Sequence, residues 1–283
     1  MYDIIIIGKG PAGISAALYT VRAKLSTLII AKDYGALERA DQIENYYGFE
    51  EPVKASELLE NSARGAKRLG AIMIDAEVVG IEKGESFSVH TPQGTFESKA
   101  VLIATGKPKK TANIPGLSDY EGRGVSYCAI CDGFFYRGKK IGVVGDGDFA
   151  VREANELLHF TDNITVYTNG STLETETPLA VDGRRIRSVG GDGKLQFVVM
   201  EDGEQIPLDG LFVAIGQAGS TDFARRLGIE MQNDDIKVNE NFMTNIDGLF
   251  ACGDCVGGLA QVSKSVGEGA VCAVAMIAYV RKT

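Results

Sequence analysis

The chain has 283 residues, a length that allows one large or two ordinary domains with a sizeable core. Its formal net charge of −9 argues against a nucleic-acid-binding protein, which would need dense Lys and Arg patches. Five cysteines do not make a disulfide framework, no signal peptide is recognised, and the longest apolar stretches are too short or too broken to span a bilayer. We therefore expect a cytoplasmic protein with no membrane segment and no nucleic-acid partner.

The N-terminal elements predict a dinucleotide-binding fold. A continuous apolar strand over residues 2–7 is followed by a G-x-G-x-x-G turn over residues 8–13 and by apolar residues at helical spacing over residues 14–24. In such a turn the first glycine permits the tight turn, the second lets the backbone approach a pyrophosphate, and the third lets the helix pack closely on the strand. The strand, turn and helix together predict a bound cofactor.

Two later segments suggest that this cofactor is FAD. Residues 101–106 are typical of a buried strand that ends in a small-residue turn at Gly106, and residues 248–254 are typical of a second strand that ends in Gly253-Asp254. An aspartate at this place can accept a hydrogen bond from a ribityl hydroxyl, while glycine gives the clearance. Either strand could instead be plain sheet core, but with the N-terminal turn the pair indicates FAD.

Between these segments lies the sequence C-A-I-C-D, about ten residues before a second glycine-rich turn over residues 145–150. The spacing of Cys128 and Cys131 lets two thiols close a small ring at the start of a helix, where an adjacent acid can tune the thiolate. The alternative is one half of a zinc site, with Cys252 and Cys255 as the other half. Cys252 and Cys255 flank the Gly253-Asp254 signature, which is expected to contact the cofactor. We therefore predict that Cys128 and Cys131 form a redox dithiol and that no metal is bound.

Nearly from end to end, the chain resembles the low-molecular-weight thioredoxin reductases, which are two-domain flavoprotein disulfide reductases. The motifs that carry this resemblance are residues 122–126, 128–136, 211–216 and the Gly-Asp at 253–254. The resemblance implies an α/β fold with two Rossmann-like nucleotide-binding domains, and a homodimer. By the same resemblance the FAD domain is discontinuous and the inserted domain carries the dithiol; the FAD domain is residues 1–111 and 244–283, and the insert is residues 112–243.

The resemblance also implies roles for individual residues. Cys131 would lie nearer the flavin and receive its electrons, Cys128 would attack the disulfide of thioredoxin through a mixed disulfide, and Asp132 would shuttle the proton. From the residues alone, Asp132 could also be only a helix N-cap. The residues assigned to FAD binding are Gly8, Gly10, Pro11, Ala12, Gly13, Gly35, Leu37, Asn45, Gly106, Gly253, Asp254, Gln261 and Val262.

The second nucleotide fold departs from the NADPH-dependent family. Asp146 brings a carboxylate towards the place of a pyrophosphate, where the family has a small uncharged residue. After the strand over residues 163–167, the sequence T-N-G replaces the His-Arg-Arg stretch with which NADPH-dependent relatives bind the 2′-phosphate. Residues 171–181, with Pro178 and a Thr/Glu alternation, do not predict the helix expected next. A vestigial nucleotide fold that serves as scaffold for the dithiol is the simplest interpretation.

This pattern is similar to the ferredoxin-dependent flavin thioredoxin reductases, which lack the NADPH motif. We therefore expect reduced ferredoxin to deliver two electrons in sequence to FAD, FAD to reduce the dithiol, and the dithiol to reduce thioredoxin. Three alternatives stay open. One is an NADPH-dependent enzyme with a divergent cofactor site. In that case the 2′-phosphate could be bound at a new place by Arg184, Arg185 and Arg187. Another is a relative whose second fold holds another ligand, such as a second flavin, and uses another donor; the third is a flavin-bound thiol sensor without turnover.

The remaining cysteines and the histidines receive no catalytic role. Cys252 and Cys255 are expected to be small buried residues beside the flavin pyrophosphate, although their spacing permits a second redox pair. Cys272 lies in an apolar helix and is predicted to be core. His90 and His159 have no partner at catalytic or metal-ligand spacing in the sequence.

Overall fold

A computed structural model describes residues 1–106, 114–216, 219–233 and 235–283, without the side chains of Arg39, Cys131, Ser220 and Thr221. The described residues form two compact units. The first unit joins residues 1–106 to residues 219–283, and the second consists of residues 114–216. The predicted boundary at residue 111 lies outside the described residues.

The helices in chain order are α1 Pro11–Arg22, α2 Ala55–Arg68, α3 Ala129–Asp132, α4 Asp148–Leu157, α5 Ser220–Leu227 and α6 Val262–Val280. Short 3₁₀ helices cover Gly35–Arg39, Ser118–Tyr120, Gly133–Tyr136 and Asp254–Val256. The strands are β1 Tyr2–Ile7, β2 Thr27–Ile30, β3 Gln42–Ile43, β4 Val53–Lys54, β5 Ile72–Ile74, β6 Gly80–Lys83, β7 Phe87–Thr91, β8 Gly94–Ile103, β9 Val125–Ser126, β10 Ile141–Val144, β11 Ile164–Tyr167, β12 Ala180–Asp182, β13 Ile186–Gly190, β14 Phe197–Met200, β15 Gln205–Pro207, β16 Gly210–Val213, β17 Met231–Gln232, β18 Asp235–Ile236 and β19 Leu249–Ala251.

The first unit is built on a seven-stranded sheet in the order β5-β2-β1-β8-β7-β6, with β19 also paired to β8. Strands β1, β2, β5, β8 and β19 are parallel, which explains why the isoleucines of β1 form a continuous apolar run rather than an alternating one. The long strand β8 pairs with β7 along its first half and with β19 along its last three residues. The carboxyl ends of β1, β8 and β19 therefore meet at one edge of the sheet.

Helices α1, α2 and α6 cover one face of this sheet, where their small side chains and those of β1 and β8 form a shared core. A Cβ atom on Gly269 of α6 would lie 2.3 Å from the carbonyl oxygen of Ala12, so glycine allows the two helices to approach closely. By length and composition alone, α6 is also long and apolar enough to cross a membrane. One side of α6 packs against α1, with Ser265, Gly269, Cys272, Ala273, Met276 and Val280 buried.

The second unit contains a five-stranded parallel sheet in the order β12-β11-β10-β16-β9 and a three-stranded antiparallel sheet, β13-β14-β15. Strand β10, a glycine-rich turn and α4 repeat the strand-turn-helix order found at the N-terminus. The prediction of two Rossmann-like sheets is confirmed. The sequence predicts no helix after β11, and the structure agrees. Residues 168–179, all of which the structure describes, form no helix before β12.

The chain returns to the first unit earlier than residue 244, the boundary implied by the resemblance. Helix α5 packs on β6, and Nη1 of Arg226 donates a hydrogen bond to the carbonyl oxygen of Val79 at 3.3 Å. These contacts group residues 219–243 with the first sheet. The sequence shows no sign of this, because the apolar face of a short helix does not indicate which sheet it covers.

Candidate flavin site and redox-active segment

The N-terminal turn has the geometry of a dinucleotide-binding turn. Gly8 has a φ of +113°, and a Cβ atom there would lie 2.3 Å from the carbonyl oxygen of Ala104, at the end of β8. A Cβ atom on Gly13 would lie 2.1 Å from the carbonyl oxygen of Gly8, so this glycine lets α1 pack against the turn. Gly10 differs, because the nearest atom to its Cβ position is 3.8 Å away. That open space beside the start of α1 fits a pyrophosphate.

The other residues assigned to FAD surround the same end of the sheet. Gly35 and Leu37 lie in the 3₁₀ helix that follows β2, and Gly106 follows β8 with a φ of +71°. Nδ2 of Asn45 donates a hydrogen bond to Oε1 of Gln261 at 2.9 Å, which joins two positions 216 residues apart in sequence. A cavity of about 90 Å³ opens here; its lining includes Gly10, Pro11, Leu37, Tyr46 and Val262. The structure thus brings the predicted flavin residues together.

The Gly253-Asp254 segment lies directly against the N-terminal turn. Gly253 has a φ of +84°, and a Cβ atom there would lie 2.9 Å from Cβ of Ala12, so this close approach requires glycine. Asp254 opens a 3₁₀ helix, and its Oδ1 accepts a hydrogen bond from the Ser265 hydroxyl at 3.3 Å. Three strand ends and the beginnings of α1 and α6 therefore converge where a dinucleotide of the FAD type fits.

The predicted dithiol lies in the second unit, with Cys128 between edge strand β9 and helix α3 and Cys131 within α3. Cys128 is disulfide-bonded and only 3% exposed. The backbone of Cys131 belongs to α3, while its side chain is outside the described residues. Because α3 begins at Ala129, directly after Cys128, the predicted position at the start of a helix is confirmed.

The hydroxyl group of Ser126 joins the predicted proton carrier to the dithiol segment. It donates to Oδ2 of Asp132 at 2.7 Å and accepts the backbone N–H of Cys128 at 3.2 Å. Ser126 is buried and lies on β9, where pairing with Phe212 of β16 fixes its backbone. The carboxylate of Asp132 is therefore held by a side chain that the sheet itself positions.

A second buried side chain holds the other end of α3. Oε2 of Glu153 accepts the backbone N–H of Ala129 at 2.7 Å, and Glu153 is only 1% exposed. Glu153 lies on α4, the helix that follows the second glycine-rich turn. This contact favours the interpretation of the second nucleotide fold as a scaffold for the dithiol, because its first helix directly supports the segment that carries Cys128.

Three large apolar side chains next to the dithiol face solvent. Ile130, Phe134 and Phe135 are 52%, 62% and 67% exposed. The guanidinium of Arg137 lies 5.2 Å from the ring centre of Phe134, within the range of a cation–π contact. Exposed apolar groups that cluster beside a polar rim are typical of protein-binding surfaces. The dithiol thus lies beside a surface suited to a protein substrate.

The second glycine-rich turn keeps its backbone geometry but is covered by the chain's own residues. A Cβ atom on Gly145 would lie 2.1 Å from the carbonyl oxygen of Ala214, as the tight turn requires. The backbone N–H of Glu174 donates to the carbonyl oxygen of Asp146 at 2.9 Å, and the Thr175 hydroxyl donates to Oδ1 of Asp148. We name residues 171–179 the covering segment. Through Glu174 and Thr175 it lies against the turn and the start of α4, where pyrophosphates bind in dinucleotide folds.

Of the three arginines considered for binding the 2′-phosphate, Arg184 is already paired with carboxylates. The guanidinium of Arg184 binds the carboxylates of Asp182, Asp202 and Glu204 at 2.7, 3.0 and 2.5 Å. Arg187 lies within β13, a strand of the separate antiparallel sheet. A guanidinium already shared among three carboxylates is poorly placed to bind a phosphate, which argues against a phosphate-binding role for Arg184.

The three other cysteines are free and buried. A hydrogen bond with Cys272 and burial raise the pKa of the Cys252 thiol, and burial raises the pKa of the Cys255 thiol. Protonated thiols are poor nucleophiles, so the arrangement favours small core residues over a second redox pair. The prediction that Cys272 belongs to the core is confirmed.

The sequence did not reveal the supporting roles of Ser126 and Glu153. Ser126 is the last residue of the motif over residues 122–126, two residues before Cys128. The motif does not indicate that the Ser126 hydroxyl donates a hydrogen bond to Asp132. Glu153 reads as one charged position of an amphipathic helix, and its contact with Ala129 joins residues 24 positions apart.

Comparisons with known proteins give a consistent result. A family model described as pyridine nucleotide-disulphide oxidoreductase matches residues 2–269. The thioredoxin reductase of Bacillus subtilis (strain 168) is 34% identical over 303 residues, which cover 100% of this chain and 96% of the relative. The thioredoxin reductase of Listeria innocua serovar 6a is 34% identical over 290 residues, covering 95% of this chain and 91% of the relative.

Two solved structures are similar over the full length. The crystal structure of the atypical thioredoxin reductase TRi from Desulfovibrio vulgaris Hildenborough has a TM-score of 0.95 and 40% identity, with 100% of this chain and 99% of that chain covered. A ferredoxin-flavin thioredoxin reductase from Clostridium acetobutylicum has a TM-score of 0.76 and 30% identity, with 100% and 99% covered.

Proposed function

Because the chain belongs to the pyridine nucleotide-disulphide oxidoreductase family and is a thioredoxin reductase-like flavoprotein that binds FAD, we propose that it transfers electrons from reduced ferredoxin to thioredoxin. The electrons would pass through FAD and the Cys128–Cys131 dithiol. The observation that carries the choice of donor is the covered second glycine-rich turn, where the chain's own Glu174 and Thr175 bind the turn and the start of α4.

FAD would be held by the residues that surround the first glycine-rich turn. Gly10 leaves space for the pyrophosphate, the start of α1 offers backbone amides to it, and Asp254 would accept a hydrogen bond from the ribityl chain. Asn45, Gln261 and Val262 would contact the remainder of the cofactor. Bound FAD supplies a carrier that accepts electrons singly and donates them in pairs.

The dithiol would perform the transfer to thioredoxin in two exchange steps. The thiolate of Cys128 attacks one sulfur of the thioredoxin disulfide, so that this S–S bond breaks and a mixed disulfide forms while the other thioredoxin sulfur leaves as a thiolate. Asp132 delivers a proton to this leaving sulfur. The Cys131 thiolate then attacks Cys128 and releases the second thioredoxin thiol. The Cys128–Cys131 pair is oxidised to a disulfide, and thioredoxin gains both electrons.

The proposed protein substrate fits the surface beside the dithiol. Ile130, Phe134 and Phe135 expose apolar area next to Arg137, and a protein that covers them would bring its own disulfide close to the segment carrying Cys128. The relatives named thioredoxin reductase support thioredoxin as that protein.

Three observations support the choice of ferredoxin over NADPH as donor. Asp146 and Asp148 place carboxylates at the second glycine-rich turn, and like charges disfavour a pyrophosphate there. The covering segment would also have to leave the turn before any dinucleotide could bind. A solved relative of the same length is a ferredoxin-flavin thioredoxin reductase, which supports a one-electron donor.

We also propose that the protein is a homodimer in the cytoplasm. Helix α6 exposes Val271 and Val274 at 52% and 58%, on the side opposite its buried residues. Apolar side chains one turn apart on an exposed helix face favour contact with a second copy.

Replacing Ser126 with alanine is expected to slow the exchange step about tenfold, because a hydrogen bond to a carboxylate typically contributes about 1.5–3 kcal/mol. The protein would be reduced with dithiothreitol and desalted, and the rate of thioredoxin reduction then followed by stopped flow, so that no electron donor is involved. Ser98→Ala is the matched control, since Ser98 is also buried but donates to the carbonyl oxygen of Ala100 in the other unit. Equal rates for both variants would contradict a role for Ser126.

The donor is tested by anaerobic reduction of the flavin. NADPH, NADH and enzymatically reduced ferredoxin are added in turn to the purified holoenzyme with oxidised thioredoxin, while the flavin absorbance and the thioredoxin thiols are measured. We expect rapid bleaching and thioredoxin reduction with ferredoxin alone. Efficient reduction by NADPH would overturn the proposed donor. Failure of all three, with transfer intact in chemically reduced protein, would point to a different donor.

A further inference from the structure

Helix α6 contributes an ion pair that holds the loop containing Asp254. We name residues 253–257 the Gly-Asp loop. Nζ of Lys264 lies 3.0 Å from Oε2 of Glu268, one turn further along the helix, and both side chains are only 18% exposed. The pair thus lies in a partly buried place, where an ion pair is held more tightly than on an open surface.

Both backbone groups of Gly253 are bound by this pair. The N–H of Gly253 donates to Oε2 of Glu268 at 2.8 Å, and the carbonyl oxygen of Gly253 accepts from Nζ of Lys264 at 2.9 Å. Nζ also donates to the carbonyl oxygen of Gly257, at the far end of the loop. Among the described residues, the ammonium group therefore has three acceptors for its three N–H donors.

The loop needs such support because its backbone is unusual at both ends. Gly253 and Gly257 have φ values of +84° and +79°, and glycine loses more conformational freedom on folding than any other residue. Between them lies Asp254, whose Oδ1 accepts from Ser265, also on α6. Helix α6 thus fixes the loop through an ion pair at Gly253 and Gly257 and through a hydroxyl group at Asp254.

We propose that Lys264 and Glu268 are positioning residues for FAD, because they hold the Gly-Asp loop in the one conformation that presents Asp254 to the cofactor. This inference rests on the assignment of Asp254 to FAD made above. Lys264 and Glu268 lie on α6 of the first unit and bind the loop that carries Asp254, so we expect their effect on cofactor binding and not on disulfide exchange. A free loop would have to be ordered each time FAD binds, and that ordering would weaken the affinity.

The test measures FAD affinity and not activity. Apoprotein is titrated with FAD while the quenching of flavin fluorescence is followed, for the wild type, Lys264→Met, Glu268→Gln and Asp254→Asn. We expect Lys264→Met and Glu268→Gln each to weaken FAD binding about tenfold or more, the scale of one lost charge-assisted hydrogen bond. Glu60→Gln with Arg64→Met removes an exposed pair of the same i,i+4 spacing on α2 and is expected to leave the affinity unchanged.

Combining the variants separates positioning from a general loss of stability. If Lys264 acts through Asp254, Lys264→Met adds little to the defect of Asp254→Asn, whereas independent effects would add. Wild-type FAD affinity in both Lys264→Met and Glu268→Gln would overturn the inference. If Asp254→Asn itself leaves the affinity unchanged, the assignment of Asp254 to FAD fails instead. Thermal unfolding of each apoprotein identifies a variant that is merely misfolded, and Glu268→Gln keeps an oxygen acceptor for the N–H of Gly253.

Discussion

Replacing Cys128 with serine is expected to abolish thioredoxin reduction, with a loss of about a thousandfold or more. A serine hydroxyl is not ionised near neutral pH and cannot open a disulfide, while its volume is close to that of cysteine. Because serine has a similar volume, we expect the substitution to preserve the packing at the buried position of Cys128, two residues after β9. The rate is measured with reduced ferredoxin as donor and compared with the rate of Cys272→Ala, which removes a core cysteine of α6.

The serine variants also distinguish the two proposed roles within the dithiol. Cys131→Ser retains the attacking thiol and lacks the resolving one, so we expect it to accumulate a covalent one-to-one complex with thioredoxin on a non-reducing gel. Cys128→Ser should form no such complex. A covalent complex with Cys128→Ser alone would mean that the two cysteines exchange their assigned roles. Turnover that survives in Cys128→Ser would refute the dithiol mechanism altogether.

Two glycines of the N-terminal turn are expected to fail in different ways when changed to alanine. Gly8→Ala places a side chain at a φ of +113° and 2.3 Å from the carbonyl oxygen of Ala104. The positive φ strains an alanine, and the carbonyl oxygen belongs to the backbone and cannot move aside easily. We therefore expect the free energy of unfolding to fall by about 3 kcal/mol or more. Gly10 has a φ of −75°, which alanine adopts readily, and the nearest atom to its Cβ position is 3.8 Å away. We therefore expect the Gly10→Ala apoprotein to fold normally.

The defect of Gly10→Ala is expected in FAD binding, by about a hundredfold, because its methyl group would take the space through which the backbone approaches the pyrophosphate. Thermal unfolding of the apoprotein and titration with FAD separate the two effects. Gly65→Ala is the control, since this glycine lies in α2 with nothing within 4 Å of its Cβ position. Wild-type FAD affinity in Gly10→Ala would mean that the cofactor does not lie against this turn.

The features predicted correctly from the sequence depend on short stretches of chain. The strand over residues 2–7 follows from its apolar run, and the turn at Gly8 follows from glycine spacing, because each pattern reports a local backbone requirement. The lack of a helix over residues 171–181 is also predicted correctly, since Pro178 and alternating Thr and Glu do not support helical periodicity. The start of α3 directly after Cys128 follows from the same kind of local pattern, while the redox role of the segment stays a prediction.

Only the tertiary structure decided which distant residues support these motifs. Three contacts join segments that no local pattern relates: Glu153 with Ala129, Lys264 and Glu268 with Gly253, and Glu174 with Asp146. Likewise, the grouping of α5 with the first unit depends on which sheet its apolar face meets. Local propensity specifies the conformation of a segment, but the partner of a buried carboxylate or ammonium is fixed by strand order and helix packing, which are properties of the whole chain.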